Sequence, residues 1–203
     1  MATDFFLRFE SSSLGGAGQR RMSQRRGSGG VQFATTTTAG GTNITCTNAG
    51  VALSWFSEPI TTAITISGTI TVNIRGQESA NTVNAGRGIL IERTNTAGTV
   101  QSTIVADSTV PATITEYTTT EAANGAATYT PTSTAMAVGE RIKVTLKVRN
   151  VGTMGAGTVT NNCNGSAAGG AGDTWVRFTQ DIRTDEIEEV PMFEIIGRNA
   201  YYG

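Results

Sequence analysis

Histidine is missing from all 203 residues. Its absence removes the commonest general base, the commonest metal ligand and the side chain that titrates near neutral pH. Cysteine is scarce: Cys46 and Cys163 alone cannot build a zinc site. They stand far apart with no local feature that pairs them, so two free thiols are expected. Charge is scarce as well. Asp, Glu, Lys and Arg make up 15% of the chain against a usual quarter, so hydroxyls and amides must solvate much of the surface. No run approaches the roughly 20 apolar residues of a membrane span. Met1 to Phe9 carries Asp4 and too short an apolar run for a signal peptide. A membrane partner is therefore not expected, and synthesis and assembly are expected in a cytoplasm. There is no Gly-x-Ser-x-Gly elbow and no Gly-x-x-x-x-Gly-Lys loop.

Abundance lies elsewhere. The chain holds 35 threonines and 25 glycines against 4 prolines, a balance of strand and turn formers. Residues 60–74 place Ile60, Ile64, Ile66, Ile70, Val72 and Ile74 on even numbers, with Thr, Ser, Ala and Asn between them. That period of two describes a strand with one face in a core. Gly68 marks a bend in it. A second clean alternation sets Ile142, Val144, Leu146 and Val148 against Lys143, Thr145, Lys147 and Arg149. Further strands are read at Val51–Phe56, 87–93, 100–105, 113–119, 127–130 and 175–182. In the last, Val176, Phe178 and Ile182 point inward and Trp175 outward. Residues 152–172 show no period and read as a long loop. The expected fold is all-β: a two-sheet antiparallel sandwich of jelly-roll type, with an extended N-terminal arm and a C-terminal tail.

Charge divides along the chain. Residues 1–30 carry five arginines against two carboxylates, while residues 181–203 carry six carboxylates against two arginines. Arg20, Arg21, Arg25 and Arg26 lie between Gly- and Ser-rich flanks, the composition of a flexible arm. The expected division is an arm at 1–40, a body at 41–183 and a tail at 184–203. The tail is acidic and then apolar, with Phe193, Ile195, Ile196, Tyr201 and Tyr202. Arm and tail are the expected contacts with neighbouring subunits. The body shows no basic patch with interleaved aromatics, which argues against nucleic acid as the main partner. Trp175 and Tyr117 are the candidates for a surface aromatic platform. Body carboxylates are Glu58, Glu78, Glu92, Asp107, Glu116, Glu121, Glu140 and Asp173; no spacing selects a catalytic pair or a metal set among them. No catalytic residue, cofactor or metal is expected.

Five stretches carry a family resemblance: Trp55-Phe56-Ser57-Glu58-Pro59-Ile60, Ile66-Ser67-Gly68-Thr69-Ile70, Glu78-Ser79, Val138-Gly139-Glu140-Arg141-Ile142, and Asp173-Thr174-Trp175-Val176-Arg177-Phe178-Thr179-Gln180. Together they resemble a jelly-roll family of tailed-bacteriophage virion proteins. The resemblance spans the body and leaves out both ends. It implies a structural component of the virion, compatible with head decoration or tail attachment; the expected function is that of a non-enzymatic protein that decorates or cements the capsid. With arm and tail as clasps, the expected assembly is a homotrimer touching the major capsid protein and neighbouring copies of itself. A tail or fibre adsorption module binding host glycan is the alternative.

Overall fold

The computed structural model describes residues 1–25, 30–108, 116–163 and 174–186. The described residues are strands, turns and irregular segments, so the all-β expectation holds. In chain order the strands are β1 (Thr3–Ser11), β2 (Gln19–Ser23), β3 (Val31–Thr37), β4 (Asn43–Thr45), β5 (Thr47–Asn48), β6 (Val51–Ala52), β7 (Ser54–Phe56) and β8 (Ile64–Ile66). They continue as β9 (Ile70–Glu78), β10 (Ala85–Thr94), β11 (Val100–Val105), β12 (Ala122–Tyr129), β13 (Thr134–Met136), β14 (Arg141–Asn150), β15 (Gly157–Cys163) and β16 (Trp175–Phe178).

One hydrogen-bonded path runs β11-β10-β14-β7-β2-β1-β16-β9-β15-β3, with β12 added to β9 and β4 to β14. The pair β2–β7 is parallel; the other pairs are antiparallel. The path folds back on itself as a sandwich. Phe33 of β3, at one end of the path, meets Trp55 of β7 with ring centroids 5.6 Å apart. Asn161 of β15 likewise reaches Cys46, which follows β4, at 3.6 Å. Both layers feed one core that includes Leu7, Trp55, Ile70, Val72, Ile89, Val144, Val159 and Phe178.

The two clean alternations fold as their period dictates. Ile142, Val144, Leu146 and Val148 are buried along β14, and Ile70, Val72 and Ile74 along β9. The long run breaks at Gly68 into β8 and β9. A Cβ at Gly68 would stand 2.0 Å from Thr179 Oγ1, so close approach of the chain after β16 requires glycine there. Val176, Phe178 and Ile182 are buried as the alternation implies. Cys46 and Cys163 are free and buried, and burial pushes both thiols up to about 12.

Two readings fail. Residues 1–40 are not a free arm. β1, β2 and β3 are members of the sheet, with Phe5, Leu7, Met22 and Phe33 in the core. The Gly/Ser-rich stretch at 12–18 forms the turn between β1 and β2, and the apolar run Phe5-Phe6-Leu7 is the strand signal it obscured. Residues 152–172 are not all loop either. β15 lies within them, paired to β3 on one edge and β9 on the other. Its Asn161 and Asn162 are buried, so a polar sequence conceals a buried strand. The strand read at 113–119 lies in part outside the described residues, and the chain at Glu116 makes a single bridge to Gly86.

Candidate functional site

Two strands set the geometry. β10 and β14 pair over their full length, from Ala85↔Asn150 at one end to Thr94↔Arg141 at the other. Ten residues at about 3.3 Å each separate those ends by about 30 Å. A cleft of about 270 Å³ opens near each end.

The first cleft is lined by Ser13, Arg21, Glu58, Pro59, Arg141 and Asp185. Ser57 fixes the segment after β7. Its amide donates to Ile142 O at 2.9 Å, and its hydroxyl accepts from Ile142 N at 3.0 Å. That clamp sets Glu58 beside Arg141 at the start of β14. Arg141 Nη1 donates to Glu58 Oε2 at 3.2 Å and to Ser57 O at 2.9 Å, while its Nε donates to Thr96 O at 3.1 Å. Ser13, in the exposed turn after β1, donates its hydroxyl to the same Glu58 oxygen at 2.9 Å. Asp185 N donates to Pro59 O at 2.8 Å and closes the rim. A hydroxyl therefore points its proton at a carboxylate, and a guanidinium orients that carboxylate.

The second cleft is lined by Glu78, Asn81, Asn84, Glu116, Tyr117, Thr118 and Thr119. Glu78 is the last residue of β9 and continues its inward, even-numbered face, so its carboxyl is carried inside. It is 2% exposed. Its Oε2 accepts from Ala85 N at 3.3 Å. Burial raises the Glu78 pKa above the ordinary carboxylate value. The Ala85 amide opposes that rise, and the charge of Glu116 adds to it. The segment 116–119 is stitched across the β9–β10 connection by Tyr117 N to Ala85 O at 2.8 Å and Glu78 N to Thr118 O at 2.9 Å.

The expected contact residues do not converge. Arg20 lies over the Phe9 ring, 4.4 Å from its centroid. Arg21 donates to Glu186 Oε1 at 3.3 Å, so head and tail charges meet within one chain. Ser23 and Gln24 also donate to that carboxylate. Arg25 is exposed, and its carbonyl accepts from Arg8. Arg26, Phe193, Ile195, Ile196, Tyr201 and Tyr202 lie outside the described residues, as does Asp173. Trp175 faces outward and is half-buried, with the Arg177 guanidinium 5.0 Å above its ring. Asp4 holds that guanidinium through two bonds of 2.6 and 2.8 Å, which leaves no open platform on that face. Tyr117 is no surface platform: it is buried, and its hydroxyl donates to Asn161 Oδ1 at 2.8 Å. Sequence reasoning missed the burial of Glu78, although the even-numbered register of β9 points to it. Nothing local links Ser13 to Glu58, which lie 45 residues apart. Among the described residues, no three His, Cys, Asp or Glu side chains group as a metal set.

No protein-family model matches the chain, and no curated protein does. Solved structures do match. A CocE/NonD family hydrolase from Staphylococcus aureus aligns over 88% of this chain and 36% of its own, with TM-score 0.52 and 8% identity. An aminopeptidase from a marine sediment Thaumarchaeota archaeon aligns over 91% of this chain and 37% of its own, with TM-score 0.53 and 11% identity. An alpha-amino acid ester hydrolase aligns over 90% of this chain and 36% of its own, with TM-score 0.52 and 9% identity. The chain thus spans about a third of the length of these enzymes. At such identities the likeness is one of fold. It overturns the expectation of a virion decoration protein and its glycan-adsorption alternative, since the sandwich it rested on is also part of hydrolases. The exclusion of enzymatic function falls for the same reason.

Proposed function

We propose that the chain is a β-sandwich module acting in hydrolysis, with the Ser13–Glu58–Arg141 cleft as its site. The observation that carries this reading is the 2.9 Å bond from Ser13 Oγ to Glu58, with Arg141 holding Glu58 in place. A nucleophile on a base, and a base on an orienting group, is the arrangement that activates a hydroxyl. The fold shared with hydrolases supports it.

Ser13 Oγ attacks the acyl carbon and its proton passes to Glu58. The leaving alkoxide takes that proton as the acyl–oxygen bond breaks. Water then repeats the transfer: its proton goes to Glu58, its oxygen bonds the acyl carbon, and Ser13 regains a proton as its ester opens. Arg141 and Arg21 place positive charge near the developing oxyanion. A carboxylate is a weaker base than imidazole, so esters with good leaving groups suit this site better than amides.

The test is hydrolysis of nitrophenyl and amino acid esters by the purified chain. Ser13→Ala and Glu58→Gln each lower kcat/KM by about 10²-fold or more, with unchanged melting for the exposed Ser13. Absence of hydrolysis in the unsubstituted protein, or full activity of Ser13→Ala, overturns the proposal.

A further inference from the structure

The chain's own tail fills an anion site beside the first cleft. Three donors converge on the Glu186 carboxylate. Arg21 Nη2 donates to Oε1 at 3.3 Å, the Ser23 hydroxyl donates to the same oxygen, and Gln24 N donates to Oε2 at 2.9 Å. A guanidinium, a hydroxyl and a main-chain amide on one carboxylate make charge-assisted bonds. β2 builds the site. Arg21 and Ser23 stand two residues apart on it and so share a face. β2 runs parallel to β7 with Arg21 opposite Phe56, two residues before Glu58. Arg21 therefore belongs both to the anion site and to the cleft of Ser13, Glu58 and Arg141. Its Nε is buried and has no hydrogen-bond partner among the described residues, so the guanidinium keeps a donor unspent.

The Glu186 side chain can leave on its own. The chain before it is held by other bonds: Ile182 N to Thr3 Oγ1 at 2.8 Å, Gln24 Nε2 to Ile182 O at 2.7 Å, Thr61 N to Arg183 O at 2.9 Å and Asp185 N to Pro59 O at 2.8 Å. Turning the Glu186 side chain away breaks none of them. Asp185, the other carboxylate on this rim, is exposed, and water and salt screen its charge.

We propose that Arg21, Ser23 and Gln24 N form a carboxylate subsite of the Ser13–Glu58 cleft, that its substrates are esters bearing a free carboxylate, and that Glu186 is a tethered competitor for them. The subsite rests on the hydrolytic reading for its use, though not for its existence. A tethered carboxylate acts at an effective concentration of about a millimolar. Scarce substrate therefore finds the subsite filled, and abundant substrate displaces Glu186.

Calorimetric titration of the full-length Glu186→Ala protein with adipate is the first test. Adipate binds it about tenfold more tightly than it binds the unsubstituted protein, whose own carboxylate competes. Adding Arg21→Met or Ser23→Ala to Glu186→Ala weakens adipate by about tenfold. The second test is hydrolysis of the nitrophenyl monoester of adipic acid beside nitrophenyl butyrate. Glu186→Ala raises kcat/KM for the adipate ester about tenfold relative to the butyrate ester. Where Glu186→Ala does not fold, Glu186→Gln keeps the shape, loses the charge and takes its place in both tests. Adipate binding no tighter without the Glu186 carboxylate overturns the proposal, as does binding indifferent to Arg21 and Ser23. Either result makes Glu186 a structural tie only. An unchanged ratio between the two esters overturns the substrate class. Ser13→Ala abolishes hydrolysis and leaves adipate binding in place. Adipate binding without any ester hydrolysis would thus sink the hydrolytic reading and spare the subsite.

Discussion

At one end of the β10–β14 pair, Glu58 sits among donors: the Arg141 guanidinium and the Ser13 hydroxyl. At the other, Glu78 accepts a long bond from Ala85 N at 3.3 Å and lies beside a second carboxylate, Glu116. Both carboxyls are fixed by neighbouring strands, and both face a cleft of similar size. The difference lies in partners rather than in burial alone. A satisfied carboxylate helps to hold the fold and is placed to take a proton from its neighbour. One held by a single long bond beside a like charge weakens the fold until a proton arrives. The first arrangement suits proton transfer; the second makes stability depend on pH.

The largest expected effect comes from breaking the satisfied end. Arg141→Met removes the bonds to Ser57 O, Thr96 O and Glu58 and leaves Glu58 with Ser13. Urea unfolding registers a loss of about 3 kcal/mol. A loss under about 1 kcal/mol would mean that water replaces the guanidinium and that the two ends do not differ.

Glu78→Gln should act in the opposite direction, raising stability at neutral pH by about 1 kcal/mol. The sign follows from linkage. The folded-state pKa of Glu78 is raised, chiefly by burial. Its contribution is therefore fully present below the unfolded carboxylate value and lost as pH rises through the raised one. The unsubstituted protein loses stability across that window and Glu78→Gln does not, so the two converge in acid. Parallel unfolding curves at acid and neutral pH check it; destabilisation at neutral pH that vanishes in acid would place Glu78 with the satisfied carboxylates.

Glu121 sharpens the contrast with the smallest effect. Its pKa is lowered, first by the Arg75 hydrogen bond, with burial opposing and Asn162 and Gln32 helping. The stability it lends is present above the ordinary carboxylate value and lost as pH falls through the depressed one. This partly exposed group makes Glu121→Gln cost about 0.5 kcal/mol at neutral pH and nothing in strong acid. Acid unfolding of both forms reads the difference.

Legibility tracked periodicity. β9 and β14 were readable because Ile70, Val72 and Ile74, and Ile142 to Val148, alternate without interruption. β1 to β3 were obscured by the Gly- and Ser-rich stretches around them and by the arginines of β2, although Phe5, Phe6 and Leu7 form an apolar run. β15 was illegible because Asn161 and Asn162 are buried through hydrogen bonds, which hydrophobic period does not register. Of the sites, Glu78 was legible in principle, as a carboxylate on an inward register. The Ser13–Glu58 contact was not, since only the folded path brings the turn after β1 to the end of β7.

The pairing of β1 with β16 bears on how this chain folds. Asp4 and Arg177 meet across that seam 173 positions apart. Closing so long a loop costs about 4–5 kcal/mol of chain entropy by the logarithmic rule, and long-range pairings of this kind slow folding. On the ribosome, β1 can form its hairpin with β2 early. Its other edge waits for residues 175–178, roughly 10–35 s of synthesis at ordinary rates. Throughout that interval β1 lacks the cover that β16 brings, and an open strand edge awaits any chain that reaches it first.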